Sequence, residues 1–382
     1  EGILDVLYDY DVVRRTLTGD YLATNKRFDM FRYLPVLPIS SLELVPQLQI
    51  GWTPLYAPQA LRKELGCRDL YVKDDGRNPT ASLKDRASGV GVTRARELGY
   101  EVICAASTGN AATSLSGLAA SVGIQTVIFV PERAPKAKLA QLLIFGSTVV
   151  MVKGSYDEAF ELSIGASEHF NWYNRNCGYN PYLVEGKKTG IWEVLEQLDF
   201  EVPDLVFTPL GDGCITSSIH KGLKDMHALG LINRMPRIIA VQAAGACPLK
   251  TAWETGRPLE PVVADTLADS IAVGHPRNAL KALKAIRQTD GEVMAVSDDE
   301  ILEAMRVLGR LTGVFGEPAG VTAMAGVMQA RSSGRITGQE KIVVMITGNG
   351  LKDVDSAIKA SGEPLKVAPD MDEVVATLSE KF

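Results

Sequence analysis

Short apolar runs recur along the chain, and each is bounded by Gly, Pro or polar residues. The runs are rich in β-branched residues and about four to six residues long, which is typical of buried strands. The predicted strands cover 102–105, 126–130, 148–152, 205–207, 238–241 and 342–346.

Longer stretches with helical character lie between these runs. The predicted helices cover 85–98, 111–121, 136–145, 189–198, 216–229, 298–311 and 318–330. Because strand and helix alternate, the pattern indicates parallel sheets that are covered by helices on both faces. So many units predict an α/β fold with two doubly wound, mostly parallel sheets, whose ligands bind at the carboxyl ends of the strands.

The first part of the chain, 1–48, departs from this regular pattern. It contains aromatic residues and a proline-rich run at 34–38, which predicts an extended arm. We expect this N-terminal arm to pack on the larger domain.

Composition narrows the functional class. The 382-residue chain has a net charge of −6 and no long run of Lys and Arg, so a nucleic-acid partner is not expected. No apolar stretch approaches the roughly 18 residues of a membrane span, and residues 1–5 do not resemble a signal peptide. The five cysteines form no C-x-x-C pair and the four histidines are dispersed, so we expect neither disulfides nor a metal site. These features favour a cytoplasmic enzyme of metabolic type.

Two loops in the first half carry candidate chemistry. Loop 78–86 runs into a predicted helix and places Lys84 at its start, where the helix dipole and burial disfavour an ammonium. Lys84 is therefore a candidate amine nucleophile, although the segment 84–86 alone favours a solvated helix start. The second loop comprises Ser107, Thr108, Gly109 and Asn110. It suits a carboxylate or a cofactor hydroxyl, but it is equally ordinary capping chemistry.

Two further loops lie in the second half. The first comprises Gly211, Asp212, Gly213, Cys214 and Ile215. Its glycines allow backbone N–H groups to face a phosphate at a helix N-terminus, and the alternative is a tight strand-to-helix turn. The other loop begins at Thr347, whose hydroxyl can meet a ring nitrogen or simply precede a glycine turn.

The four loops are weak signals singly, but in this order they predict a site for pyridoxal 5'-phosphate (PLP). Lys84 would hold the aldehyde as a Schiff base, and the glycine loop 211–215 would bind the phosphate. Asn110 would reach the ring hydroxyl and Thr347 the pyridine nitrogen.

The same segments resemble the threonine synthases, in the fold-type II (tryptophan synthase β-like) class of PLP enzymes, over most of the sequence. The similar segments include 51–55 (G-W-T-P-L), 78–86 (N-P-T-A-S-L-K-D-R), 106–110 (A-S-T-G-N), 317–319 (E-P-A) and 347–350 (T-G-N-G). The resemblance implies a homodimer and a small amino-acid substrate, O-phosphohomoserine. That substrate and water would give threonine and phosphate by γ-elimination and β-addition.

In this scheme Lys84 also serves as the base that removes the α-proton. Ser107, Thr108 and the N–H groups around Asn110 hold the substrate carboxylate. The loops then divide the chain into a smaller domain at 67–198, with Lys84 and the carboxylate loop, and a larger one. The larger domain comprises 49–66 and 199–382 and carries the phosphate loop.

The segment 177–186 departs from the family pattern. Cys177, Gly178 and Leu183 stand where the family has the Asn, Ser and Arg that grip the substrate phosphate. Losing a guanidinium from a dianion site costs several kcal/mol unless another cation, such as Arg277 or Lys187, replaces it. The departure leaves open a related β-eliminating or β-replacing enzyme: a dehydratase, an ammonia-lyase or a cysteate-synthase-like enzyme. A non-catalytic PLP-binding protein is disfavoured because Lys84 is present.

Overall fold

A computed structural model describes residues 3–132, 134 and 136–379. The strands are β1 (Leu55–Tyr56), β2 (Asp69–Asp74), β3 (Val102–Ala106), β4 (Gln125–Pro131), β5 (Thr148–Val152), β6 (Tyr173–Asn174), β7 (Leu205–Pro209), β8 (Arg237–Ala243), β9 (Glu292–Val296) and β10 (Lys341–Ile346). The ends of the predicted arm and of the predicted larger domain, at residues 1 and 382, lie outside the described residues.

Helices occupy most of the remaining chain. The α-helices are α1 (Tyr10–Thr16), α2 (Gly19–Thr24), α3 (Gln59–Leu65), α4 (Lys84–Glu97), α5 (Asn110–Ala120), α6 (Lys136–Ile144), α7 (Tyr156–His169), α8 (Tyr182–Lys187), α9 (Thr189–Gln197), α10 (Cys214–Ala228), α11 (Pro248–Thr255), α12 (Ala279–Gln288), α13 (Asp298–Thr312), α14 (Pro318–Ser332), α15 (Val354–Ser361) and α16 (Met371–Ser379). Short 3-10 helices span Met30–Val36, Asp75–Arg77, Ala244–Ala246, Asp269–Ile271 and Gly350–Lys352. Among the described helices, none is both long and apolar enough to cross a membrane.

Two sheets organise the fold. The larger has six strands in the order β1-β2-β10-β7-β8-β9, and the smaller has four in the order β5-β4-β3-β6. All neighbouring strands are parallel except β1 and β2. The prediction of two mostly parallel sheets is therefore confirmed, and so are the six predicted strands and seven predicted helices, to within two residues at their ends.

The predicted smaller domain at 67–198 is too wide at both ends. Strand β2 lies between β1 and β10 in the six-stranded sheet, with Leu70 opposite Ile342. Helix α9 buries Trp192 in a core shared with Val206 and Val343 of that same sheet. The sequence hides β2 because its charged end includes Lys73, which is buried only because a carboxylate pairs with it.

The N-terminal segment is not an extended arm, because α1, α2 and the 3-10 helix Met30–Val36 fold it back on itself. It also packs on more than the larger domain. Val13 and Leu17 join the apolar core against the six-stranded sheet. Phe31 and Val45 join the core of the four-stranded sheet. The segment therefore contacts both halves of the fold, since its apolar residues are divided between the two cores.

A fully buried cluster of charges joins elements from both halves. The Arg86 guanidinium on α4 donates to both carboxylate oxygens of Asp75, each at 2.8 Å, and to both oxygens of Glu193 on α9. Lys73 Nζ on β2 donates to Glu193 Oε2 at 2.8 Å. All four side chains have no exposed surface. Their pairing therefore stabilises the junction of β2, α4 and α9 in a place where an unpaired charge would be very costly.

The segment G-W-T-P-L has a structural role at this cluster. Thr53 Oγ1 donates to Asp75 Oδ1 at 2.6 Å. Gly51 has a φ of +78°, and a Cβ there would lie 2.5 Å from Glu193 Oε1. Only glycine lets the backbone pass so close to the charges in this conformation.

We expect Arg86→Met to reduce the free energy of unfolding by about 3–5 kcal/mol, because two buried carboxylates would then share a single cation, Lys73. Urea unfolding at neutral pH measures the change. Arg68→Met is the matched control, since Arg68 forms a surface ion pair with Asp69 and is 72% exposed; its effect should stay below about 1 kcal/mol. Equal effects of the two substitutions would contradict a structural role for the buried cluster.

Candidate active site

Lys84 is the first residue of α4, and its loop is held by the residues around it. Asp85 accepts hydrogen bonds from the backbone N–H of Thr80, at 2.6 Å, and from its hydroxyl. Asn78 Oδ1 accepts the Gly51 N–H at 2.8 Å, and Arg86 belongs to the buried cluster. These neighbours fix the backbone on both sides of Lys84. The Lys84 side chain itself lines a large cavity.

That cavity has a volume of about 870 Å³ and brings together side chains from both sheets. Its lining includes Lys84, Ser107 and the whole glycine loop from Gly211 through Asp212, Gly213 and Cys214 to Ile215. The loop lies at the carboxyl end of β7 and Ser107 at the carboxyl end of β3. Three of the four predicted loops therefore meet at one place.

The rest of the carboxylate loop faces a smaller cavity. Thr108, Gly109 and Asn110 line a space of about 120 Å³ that shares Ser270 with the larger cavity. Asn110 begins α5, whose first turn has no side-chain cap in the described part of the chain. Free N–H groups at a helix N-terminus suit a carboxylate. The carboxylate loop therefore faces two adjoining cavities, with Ser107 in the larger one and residues 108–110 in the smaller one.

The glycine loop leads into the N-terminus of α10, the feature expected of a phosphate cradle. Gly213 has a φ of +90°, and a Cβ there would lie 2.8 Å from the Asn278 carbonyl oxygen. The Asp212 carboxylate accepts the Arg277 backbone N–H at 2.6 Å and the Cys214 thiol at 3.3 Å. Burial raises the pKa of the Asp212 carboxyl.

Thr347 follows β10 and is buried. Its carbonyl oxygen accepts the N–H of Leu83, the residue before Lys84, at 2.9 Å. The structure therefore places the Thr347 backbone beside the lysine loop, although Thr347 is not among the residues that line either cavity.

Glu317 is a buried carboxyl to which the sequence assigned no role. Asn110 Nδ2 donates to Glu317 Oε1 at 2.7 Å, and a Cβ on Gly348 would lie 2.2 Å from the same oxygen. Burial raises the pKa of Glu317 to about 7, while the positive charge of Lys84 opposes the rise. The segment E-P-A, in which proline starts α14, was the available signal, but it does not reveal the contact with Asn110.

The cavity wall also holds cations. Lys187, at the end of α8, donates to Cys177 Sγ at 3.0 Å, and Arg175 Nη1 lies 3.6 Å from the same sulfur. Arg277 is further out, where its guanidinium lies 3.6 Å from the centre of the Phe160 ring and pairs with Asp157. The sequence singled out Lys187 and Arg277 and missed Arg175, since a lone arginine in a loop carries no signal of burial.

Electrostatics favour a neutral amine at Lys84. Burial lowers the pKa of Lys84, and the ammonium of Lys187 lowers it further. A lysine that loses its proton readily is a nucleophile for an aldehyde carbon. Lys84, a helix N-terminus with glycines and a cavity of small-molecule size together fit PLP, whose aldehyde and phosphate need these two features.

The raised pKa of Glu317 predicts a pH-dependent stability. The stabilisation associated with the protonated carboxyl is fully present below pH 4.5 and is lost as the pH rises through about 7. Glu317→Gln, which imitates the protonated form, should therefore gain stability relative to the wild type across this range. Urea unfolding of both proteins at several pH values measures the difference.

Glu363→Gln serves as the control because Glu363 is exposed in the C-terminal segment. Its stability difference from the wild type should not vary with pH over the same range. A Glu317→Gln difference that is equally flat would contradict the raised pKa.

Comparisons with known proteins identify the family of the chain. The family model described as pyridoxal-phosphate dependent enzyme matches residues 46–348. The chain is 40% identical to the threonine synthase of Methanocaldococcus jannaschii, over 99% of this chain and 94% of the relative. It is 37% identical to the threonine synthase of Methanosarcina acetivorans, over 98% of this chain and 92% of the relative.

Solved structures show the same fold. The processed form of threonine deaminase isoform 2 from Solanum lycopersicum superposes with a TM-score of 0.70, covering 88% of this chain and 95% of that one, at 22% identity. Diaminopropionate ammonia lyase from Escherichia coli gives a TM-score of 0.69, covering 81% and 86%, at 17% identity. At these identities the likeness extends to the fold alone. The family match and the full-length relatives together show that the chain belongs to the pyridoxal-phosphate dependent enzymes and, within them, to the threonine synthase family.

Proposed function

We propose that this chain is a PLP-dependent threonine synthase, a lyase that converts O-phosphohomoserine and water into threonine and phosphate. The observation that carries the proposal is the single cavity in which Lys84, the glycine loop and buried cations meet. Relatives named threonine synthase, at 35–40% identity over 88% or more of this chain, support it.

Lys84 has two tasks in this proposal. Its Nζ would hold the cofactor at the aldehyde carbon and would serve as the base for the proton on the substrate α-carbon. Its lowered pKa suits both tasks, since each needs a free electron pair on nitrogen. When bound, PLP supplies an electron sink that stabilises negative charge at the substrate carbons.

The remaining residues bind and orient. The backbone N–H groups of Gly211–Ile215 and of the first turn of α10 would hold the cofactor phosphate. Asn110 would serve the ring hydroxyl, and Thr347 would serve the pyridine nitrogen as a neutral partner. Ser107, Thr108 and the N-terminus of α5 hold the substrate carboxylate.

Arg277 connects two elements of the cavity wall. Its guanidinium covers the Phe160 ring on α7, so that α7 and the loop before α12 meet at the cavity wall.

We also propose that the enzyme works as a homodimer in the cytoplasm. Leu4 and Leu7 of the N-terminal segment are 69% and 88% exposed, which supports a contact with a second copy. The described cysteines are all free thiols, as expected in a reducing compartment.

Lys84→Ala should abolish the visible absorbance of bound cofactor and reduce turnover by roughly 1,000-fold or more, because Lys84 is the group that attaches the aldehyde and moves the proton. Absorbance spectra after gel filtration and a phosphate-release assay measure the two effects. Lys26→Ala, at an exposed lysine, is the control and should behave like the wild type. A variant without Lys84 that keeps the absorbance band would overturn the role of Lys84.

Substrate identity needs a separate measurement. Incubation of the holoenzyme with O-phosphohomoserine should release phosphate and threonine in equal amounts. Little phosphate, together with rapid formation of ammonia and a keto acid from serine or threonine, would instead identify a dehydratase or an ammonia-lyase.

A further inference from the structure

Two buried cations in the cavity have no carboxylate partner. Arg175 is 1% exposed and Lys187 is 2% exposed. Arg175 donates to the Ser88 hydroxyl and the Cys177 sulfur, and Lys187 donates to that same sulfur. In the part of the chain that the structure describes, neither side chain forms an ion pair with Asp or Glu.

This is unlike the buried cations elsewhere in the protein. Lys73 and Arg86 share Glu193, with Asp75 as a second partner of Arg86. Lys188, the residue directly after Lys187, pairs with two carboxylates, Glu185 and Asp225. A buried cation without a carboxylate is costly, so its retention indicates a site for an anion.

Cys177 balances only part of this charge. Lys187 and Arg175, which both donate to its sulfur, lower the pKa of the Cys177 thiol. One thiolate offsets one positive charge, and Arg175 and Lys187 carry two. Asp212 lines the same cavity, where burial raises the pKa of its carboxyl and Lys187 lowers it, but it forms no ion pair with Arg175 or Lys187 among the described contacts. The side chains that Arg175 and Lys187 contact directly are thus one sulfur and one hydroxyl, and no carboxylate among the described residues.

The position of Lys187, Arg175 and Cys177 in the cavity suits a phosphate on the substrate. Lys187 and Lys84 line the same cavity, and the ammonium of Lys187 contributes to the lowered pKa of Lys84. Leu183 and Lys187 lie four residues apart on α8, one helical turn, so a cation is available one turn after the position where the family motif has Arg. Leu183 itself is fully buried against α4, since a Cβ added at Gly91 of that helix would lie 2.9 Å from Leu183 Cδ2.

We propose that Lys187, Arg175 and Cys177 form the subsite that binds the phosphate of the amino-acid substrate. The inference rests on the proposed function and assigns the substrate's leaving group to these three side chains. Lys187 and Arg175 donate charge-assisted hydrogen bonds to the phosphate oxygens. Cys177 is the residue whose accessibility reports occupancy of the subsite.

Protection of Cys177 from alkylation tests the subsite without measuring turnover. The wild-type holoenzyme is treated with iodoacetamide, and labelling at each cysteine is followed by mass spectrometry. Cys177 should react faster than Cys247, because Lys187 and Arg175 favour its thiolate. Inorganic phosphate should slow labelling of Cys177 and leave Cys247, which lies outside the cavity lining, unchanged; chloride at equal ionic strength is the control.

Removal of the Lys187 charge is a second test of the subsite. Lys187→Met should abolish the protection by phosphate and raise KM for O-phosphohomoserine roughly 10- to 100-fold, while Lys187→Arg should restore much of both. Cofactor affinity, measured by absorbance titration, should stay within about twofold of the wild type. A large loss of cofactor affinity would overturn the inference, since Lys187 would then serve the cofactor phosphate.

The outcomes separate the subsite from the reaction. Phosphate protection of Cys177 without threonine formation would support the anion subsite and sink the synthase activity. Threonine formation with no protection of Cys177 in the wild type, or with an unchanged KM in Lys187→Met, would overturn the subsite and leave the synthase standing. The wild-type labelling arm decides the question even where a variant fails to fold.

Discussion

The fold depends on the way Arg86 satisfies two carboxylates at once. Its planar guanidinium reaches Asp75, directly after β2, and Glu193, on α9, with paired hydrogen bonds that a lysine could not reproduce. Because Arg86 follows Lys84 by two residues on α4, the same contacts that close the junction between elements also fix the start of that helix. The position of the nucleophile is thus set by a structural ion cluster.

The treatment of buried charge distinguishes scaffold from site. Away from the cavity, the buried cations are paired. Arg86 and Lys73 each pair with Glu193, and Lys188 and Lys221 each pair with Asp225. In the cavity, Lys84 loses its proton readily, while Lys187 and Arg175 meet only a thiol and a hydroxyl. An uncompensated charge lowers stability, and proteins tolerate that cost where a ligand or a reaction uses the charge.

Much of the fold could be predicted because its signals are local. The apolar runs of these strands are typical of strands that helices cover on both faces of a sheet: β3, β4, β5, β7, β8 and β10. Strand β2 was missed because its burial depends on Glu193, which lies more than 100 residues away. Division of the chain at 67 failed for the same reason, since the sequence does not show which sheet a strand will join.

The sequence by itself determined the chemistry: a lysine at a helix start, small polar and glycine loops in a fixed order, and loss of the usual arginine at position 183. Residue types and their local spacing carry that information, because helix starts and strand ends are local events. Only the tertiary structure decided that Lys187 and Arg175 are buried without carboxylates, that Glu317 contacts Asn110, and that the N-terminal segment joins both cores. These facts depend on distance and desolvation between distant segments, which exist only once the chain has folded.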